Sequence, residues 1–278
     1  MTPAPRDDGC APHAPRIWAL TPAQYSRSVQ GLLGVDERPG DELAATGIVG
    51  EGFTNEASAL VLSEPRTAQL YRIARRLAAA VEPAKLHPCL ASSLDPTCVR
   101  AFLGTFGVRA FRRPWRPDEL DAYATFFVAE AKARTPMSAL RAVLAAILMS
   151  PHFLFRTELG AGDGALTAFE RAAALAYLLT DGPPDAPLLA AATDGRLGGP
   201  DDMAREARRL LARPETGAGF LRFFDEQFHL GEIPAIDKDA QVFPGWSADL
   251  AASVATQARL HVREVLWADD ARLETLFL

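Results

Sequence analysis

The sequence predicts an all-α protein of about ten helices, an irregular bundle of two or three packed helical modules. Three observations predict it. Alanine and leucine dominate while β-branched residues are sparse, which favours helix over strand. Helix-start signals recur, with Thr21-Pro22, Asp95-Pro96 and Thr135-Pro136 placing a capping side chain before a proline, and Thr167 and Glu170 forming a capping box. Behind each start, apolar residues return at intervals of three and four, as the buried stripe of a helix requires.

In chain order, residues 1–18 are rich in Pro, Ala and charge and read as a disordered linker. Thr21-Pro22-Ala23-Gln24 opens a helix that carries Tyr25, Val29, Leu32 and Leu33 and stops at Gly34. A long loop with Gly40, Gly47, Gly50 and Gly52 follows; a loop of this length is either mobile or held by its own side chains. Pro65 to Ala80 is the second helix. Asp95-Pro96 starts the next, which Gly107 bends or ends, and Arg113-Pro114-Trp115-Arg116-Pro117 is a stiff elbow because each residue before a proline is pushed to extended geometry. Pro117 opens another helix, with Asp118 and Glu119 suited to the amino end of its dipole. The helix after Thr135, with Leu140, Val143, Leu144, Ile147 and Leu148, is apolar on most faces and is the expected central one. Gly160 to Gly164 is a flexible joint, followed by a helix that the Thr167–Glu170 capping box opens and that carries Leu175, Leu178 and Leu179, by helices at 188–192, 201–211, 216 or 217 to 228, and 247–267, and by a start at Asp269 or Asp270. The expected modules are 19–86, 87–160 and 165–278.

Composition bounds the function. Hydrophobic residues make up 49% of the 278 and charged residues 23%, a globular balance. The formal net charge is -6 and the basic residues are spread along helices, which argues against a nucleic-acid partner. No apolar run is long enough to span a bilayer, and the chain does not open on a signal peptide. Because it closes on Leu276, Phe277 and Leu278, it is expected to continue in a larger parent.

No metalloprotease, serine-hydrolase, P-loop or dinucleotide motif is present. None of the three cysteines lies in a CxxC or CxxCH, so neither a cysteine zinc site nor covalent haem attachment is expected in this chain. Cys89 and Cys98 enclose a short loop and are either a disulfide or two thiols, while Cys10 is isolated in the linker. Arg109, Arg112, Arg113 and Arg116 crowd around Phe111 and Trp115. They form an anion or carboxylate clamp, since guanidinium offers a bidentate fork, an aromatic surface for a sugar ring, or a structural corner whose arginines pair with Asp118, Glu119 or Glu158. Glu158 also has Arg156 as a neighbouring partner, and Glu170 is accounted for by its capping box. Asp225 and His229, four residues apart, share a helix face that could ligate a metal or carry a surface histidine; no metal site is expected. The binding candidates are Asn55, Arg109, Arg112, Arg113 and Glu158.

Five segments carry a resemblance: LTPAQYSRSVQGLLGV, EGFTNEASALVLSEPRTAQLYRIARRLA, CVRAFLGTFGVRAFRRPWRPDEL, LRAVLAAILMSPHFLFRTELG and LTAFERAAALAYLLTDGPPDAPLLAAATDGRL. The chain resembles tandem domains of unknown function from secreted planctomycete and myxobacterial proteins, often found near cytochrome-c-like domains. The resemblance implies three consecutive modules here and two more beyond Leu278. It also implies a Cys89–Cys98 disulfide and export to the periplasm, the outer membrane or the outside. Where the family has GF.NNAD, this chain has Gly52-Phe53-Thr54-Asn55-Glu56-Ala57-Ser58, which keeps Asn55 and displaces the acid. The expected function is a helical module of a larger exported protein that positions or binds a partner domain, an electron carrier being one kind, with any haem on that partner or on a missing domain. The alternative is part of an extracellular or periplasmic enzyme acting on a polymer or in a redox reaction, with its site completed by missing modules.

Overall fold

The computed structural model describes residues 15–44, 53–56, 60–162, 164–213, 216–268 and 272–277. Among them are twelve α-helices and one two-stranded ribbon. In chain order these are β1 (Arg16–Ala19), α1 (Pro22–Leu33), α2 (Glu64–Ala80), α3 (Pro83–Leu86), α4 (Pro96–Phe111), α5 (Pro117–Ala133), α6 (Pro136–Leu148), α7 (Pro151–Leu154), β2 (Phe155–Glu158), α8 (Ala168–Thr180), α9 (Ala186–Thr193), α10 (Pro200–Leu211), α11 (Ala218–Gln227) and α12 (Ala248–Trp267). The fold is predominantly helical, and the helices beyond the expected ten are the one-turn α3 and α7.

The starts follow local chemistry. Thr21 and Gln24 close a capping box on α1, Thr167 and Glu170 on α8, and Asp95 accepts from Thr97 and Cys98 at the start of α4. Gly34 ends α1 in the left-handed conformation, at φ 67°. One expectation at a glycine is corrected: α4 runs straight through Gly107 to Phe111. The residue is small there for another reason, since a Cβ would lie 2.3 Å from the Trp115 ring folded back by the elbow.

The larger core joins α1, α2, α4, α6 and α7, with α5 adding Phe127. In α6 Ala139, Leu140, Val143, Leu144, Ile147 and Leu148 are all buried, and the helix packs on α2 and α5, the central place expected for it. A second, smaller core lies between α8, α9 and α10. Helix α8 serves both: Tyr177 belongs to the first core, while Ala172, Leu175, Ala176 and Leu179 belong to the second. The first two expected modules therefore share one interior, and α8 fastens the third to it.

The expected linker is shorter than residues 1–18, because Arg16–Ala19 is β1; residues 1–14 lie outside the described residues. β1 pairs antiparallel with β2, with Arg16 opposite Glu158 and Trp18 opposite Arg156. A four-residue strand has no stability of its own and forms only against a partner, here one 142 positions away along the chain. The joint after residue 160 is held as well: the Glu170 carboxylate accepts from the backbone N–H groups of Leu159, Gly160 and Thr167.

Of the long loop after α1, Gly47, Gly50 and Gly52 lie outside the described residues, as do Asp269 and Asp270 near the chain's end. The described part of the loop is pinned by contacts to other elements. Gly40 N–H donates to Ser26 Oγ, and Phe53 stacks on Phe223 of α11 at 5.6 Å. No helix among the described residues is long and apolar enough to cross a membrane. Cys89 and Cys98 form a disulfide with Cα atoms 5.8 Å apart, tying the turn before α4 to its first residues.

Candidate functional site

Side chains two apart on a strand share a face, so Arg16 and Trp18 of β1 lie on the same side as Arg156 and Glu158 of β2. That face looks onto α8, and Arg16, Trp18 and Arg156 stack with Tyr177 of that helix. The Arg16 guanidinium lies 4.7 Å from the Trp18 ring, Arg156 lies 4.6 Å from the same ring and 4.7 Å from Tyr177, and Arg112 lies 6.0 Å from Tyr177. Guanidinium and aromatic plates thus alternate, each pair a cation–π contact. Glu158 accepts from Arg16 Nε at 2.9 Å and Nη2 at 2.8 Å, and lies 3.7 Å from Arg156.

This column forms one wall of a cleft of about 860 Å³. The opposite wall is α11, with Phe220, Phe223 and Phe224, joined by Phe53 and Leu178. Helix α11 approaches this closely because residue 219 is glycine: a Cβ there would sit 2.3 Å from the carbonyl oxygen of Leu178 at the end of α8. Behind the cleft Asp181, 1% exposed, ends α8 in the left-handed conformation at φ 52°. Its carboxylate accepts from Gln24 at 2.9 Å, from Arg27 at 2.5 Å and from Arg222 of α11. One buried acid thereby pins α1, α8 and α11 together. Glu226 accepts from the Thr54 hydroxyl and stands 3.9 Å from Arg222.

The expected site residues divide. Asn55 and Glu158 line the cleft. The three elbow arginines do not. Arg109 donates to the carbonyls of Gly31 and Leu32 at the end of α1. Arg112 is buried and donates to the carbonyls of His152, Phe153 and Phe155, at 2.7, 3.1 and 2.7 Å, capping α7. Arg113 forks onto Glu119 at 2.8 and 2.7 Å. Glu119 also accepts from Arg116 N–H, and the Arg113 hydrogen bonds above all hold its carboxyl down at about 2. Arg112 and Arg113 do border a smaller pocket of about 220 Å³, together with His152, Arg156 and Glu170.

The expected shared helix face of Asp225 and His229 is not formed, and His229 is an exposed histidine. α11 ends at Gln227 and His229 has φ 51°, so the two are not on one helix face. Asp225 binds Arg259 at 2.5 Å and His229 lies 3.1 Å from Glu232. Among the described residues no three His, Cys, Asp or Glu side chains gather closely enough to hold a metal ion.

Trp18, Arg16, Arg156, Tyr177 and Arg222 were not singled out from the sequence. Arg-x-Trp at 16–18 and Arg-x-Glu at 156–158 are i, i+2 pairs on four-residue strands, too short a pattern to mark them before the strands pair.

Comparison with family models places this cleft. PSD3, a protein of unknown function (DUF1587), matches residues 19–82; PSD5, a protein of unknown function (DUF1595), matches 98–158; PSD4, a protein of unknown function (DUF1592), matches 166–278. The chain carries these three domains in tandem. No curated protein and no solved structure matches it. The PSD3 domain gives the cleft Gln24, Phe53 and Asn55, with Arg16 and Trp18 just before its matched span; the PSD5 domain gives Arg156 and Glu158; the PSD4 domain gives Tyr177, Phe220, Arg222 and Phe223. The cleft is complete only when all three are joined.

Proposed function

We propose that this tandem is a recognition module of a larger exported protein, and that the cleft where its three domains meet is the binding surface. The observation that carries this reading is the composition of the walls. Aromatic rings offer broad, stiff contact area at little entropic cost, and guanidiniums supply the polar fixing points, the usual pattern of a ligand site. The carboxylates nearby are engaged: Glu158 by Arg16, Glu226 by Thr54, and Asp181 by two arginines. They orient cations and hold elements together. Export is part of the proposal, supported by the Cys89–Cys98 disulfide, since such bonds persist in oxidising compartments. A partner domain, an electron carrier included, would engage through the same cleft.

A ligand-observed NMR screen of small anionic, aromatic and sugar compounds tests the reading. Specific compounds should bind the wild type and lose contact in Phe223→Ala. That residue is 46% exposed, so its truncation leaves the core intact. Compounds indifferent to the substitution would contradict the cleft as the binding surface.

A further inference from the structure

Arg156 is the unusual group of the column. Its side chain is 12% exposed and it makes no hydrogen bond among the described residues. Its guanidinium carbon lies 4.6 Å from the Trp18 ring and 4.7 Å from the Tyr177 ring, contacts that give its five N–H donors no oxygen acceptor. The nearest carboxylate oxygen, Glu158 Oε1, stands 3.7 Å away, beyond hydrogen-bond reach, while Arg16 holds the other oxygen, Oε2, at 2.8 Å. Neighbouring arginines use their donors differently, Arg112 on three carbonyls and Arg222 on Asp181. Burial pushes the Arg156 guanidinium down from its ordinary range, and the group lines the cleft with no oxygen acceptor in hydrogen-bond reach among the described residues. An anion entering the cleft would satisfy it.

The opposite wall specifies what carries the anion. Phe53 and Phe223 stack with their planes 13° apart, beside Phe220, Leu178 and Leu266. Gln24 spends its amide on Asp181 and on Thr21 N–H, and Glu158 and Glu226 are engaged by Arg16 and Thr54, so the polar groups offered to a ligand are Asn55 and the guanidiniums. With Phe53, Phe220, Phe223, Leu178 and Leu266 beside them, a flat apolar ring is covered more fully than a ring of hydroxyls. We propose that the cleft takes a carboxylate borne on a planar, apolar ring system, the carboxylate seated on the in-plane donors of Arg156 and the ring laid along Phe53 and Phe223. This rests on the reading of the cleft as the binding surface and adds the chemistry of its ligand.

Calorimetric titration of the whole chain with 2-naphthoate, 2-naphthylmethanol and galacturonate tests it. Naphthoate should bind saturably, and the neutral alcohol at least about tenfold more weakly, the scale of a charge-assisted hydrogen bond. Arg156→Met should bring naphthoate down to the level of the alcohol. Glu158→Gln, which removes the competing carboxylate, should tighten naphthoate binding; this second variant keeps the test decisive if Arg156→Met does not fold. Equal binding of acid and alcohol, weaker binding in Glu158→Gln, galacturonate binding as tight as naphthoate, or no binding by either form would overturn the inference. If the alcohol binds as well as the acid and Phe223→Ala abolishes both, the carboxylate seat is wrong while the cleft remains the binding surface.

Discussion

Glu119→Gln should make the protein less stable at neutral pH and nearly indifferent to the change in acid. Glu119 is 9% exposed, takes both prongs of Arg113 and the N–H of Arg116, and so fixes the elbow between α4 and α5. Its carboxyl is held at about 2, against an ordinary 4.5. The unfolded chain takes up this proton near the ordinary value and the folded chain only near 2. The resulting stability is therefore complete above about pH 5 and is lost as pH falls toward 2. A displacement of that size corresponds to about 3 kcal/mol. Arg113 is 28% exposed, so water screens part of it, and a loss of about 1–3 kcal/mol is expected on substitution. His152 Nε2 lies 3.4 Å away, and burial and the Arg113 charge lower its pKa. Urea unfolding of both proteins at pH 7, 5 and 3 provides the comparison. The gap between them should be widest at pH 7 and shrink by pH 3. A gap that is the same at pH 3 as at pH 7 would show that the elbow does not depend on the carboxylate charge.

Three further outcomes follow from the same geometry. Replacing Cys89 and Cys98 together with serine should cost about 2.6 kcal/mol by the loop-entropy relation for cysteines 9 positions apart, read as a lower unfolding midpoint; peptide mapping after alkylation without reductant should leave both wild-type cysteines unlabelled. Asp181→Ala should destabilise by about 3–5 kcal/mol, because it strands the guanidiniums of Arg27 and Arg222 beside a buried site; a loss below 1 kcal/mol in chemical unfolding would show that the acid does not hold the three helices. Gly219→Ala should cost about 1–3 kcal/mol and weaken cleft ligands, since α11 must move away from the Leu178 carbonyl; unchanged stability and binding would contradict the close approach.

What was legible in the sequence was local. Thr21, Asp95, Thr135 and Thr167 cap helices through bonds that span three residues, and the apolar stripe of α6 needs only its own spacing. The disulfide came from the family resemblance, as the residues alone left two readings open. What escaped was long-range. β1 and β2 are too short to signal themselves, and Arg16–Ala19 reads as linker until residues 155–158 are set beside it. The candidate site went with the ribbon: Glu158 and Asn55 were noticed, but the stack of Trp18, Arg156 and Tyr177 exists only after three domains pack. Gly107 shows the same limit. Its weak helix propensity suggested a break, and the ring of Trp115, eight residues on, gives it a packing role instead.

The most direct measurement is a two-dimensional NMR titration that follows arginine Nε–H and tryptophan indole N–H signals as 2-naphthoate is added. Arg156, Arg16 and Trp18 should move saturably, with Arg100 and Arg134, exposed and outside the cleft, unmoved. Movement confined to Trp267, Arg263 and Arg272, with Arg156 and Trp18 still, would contradict the proposed seat.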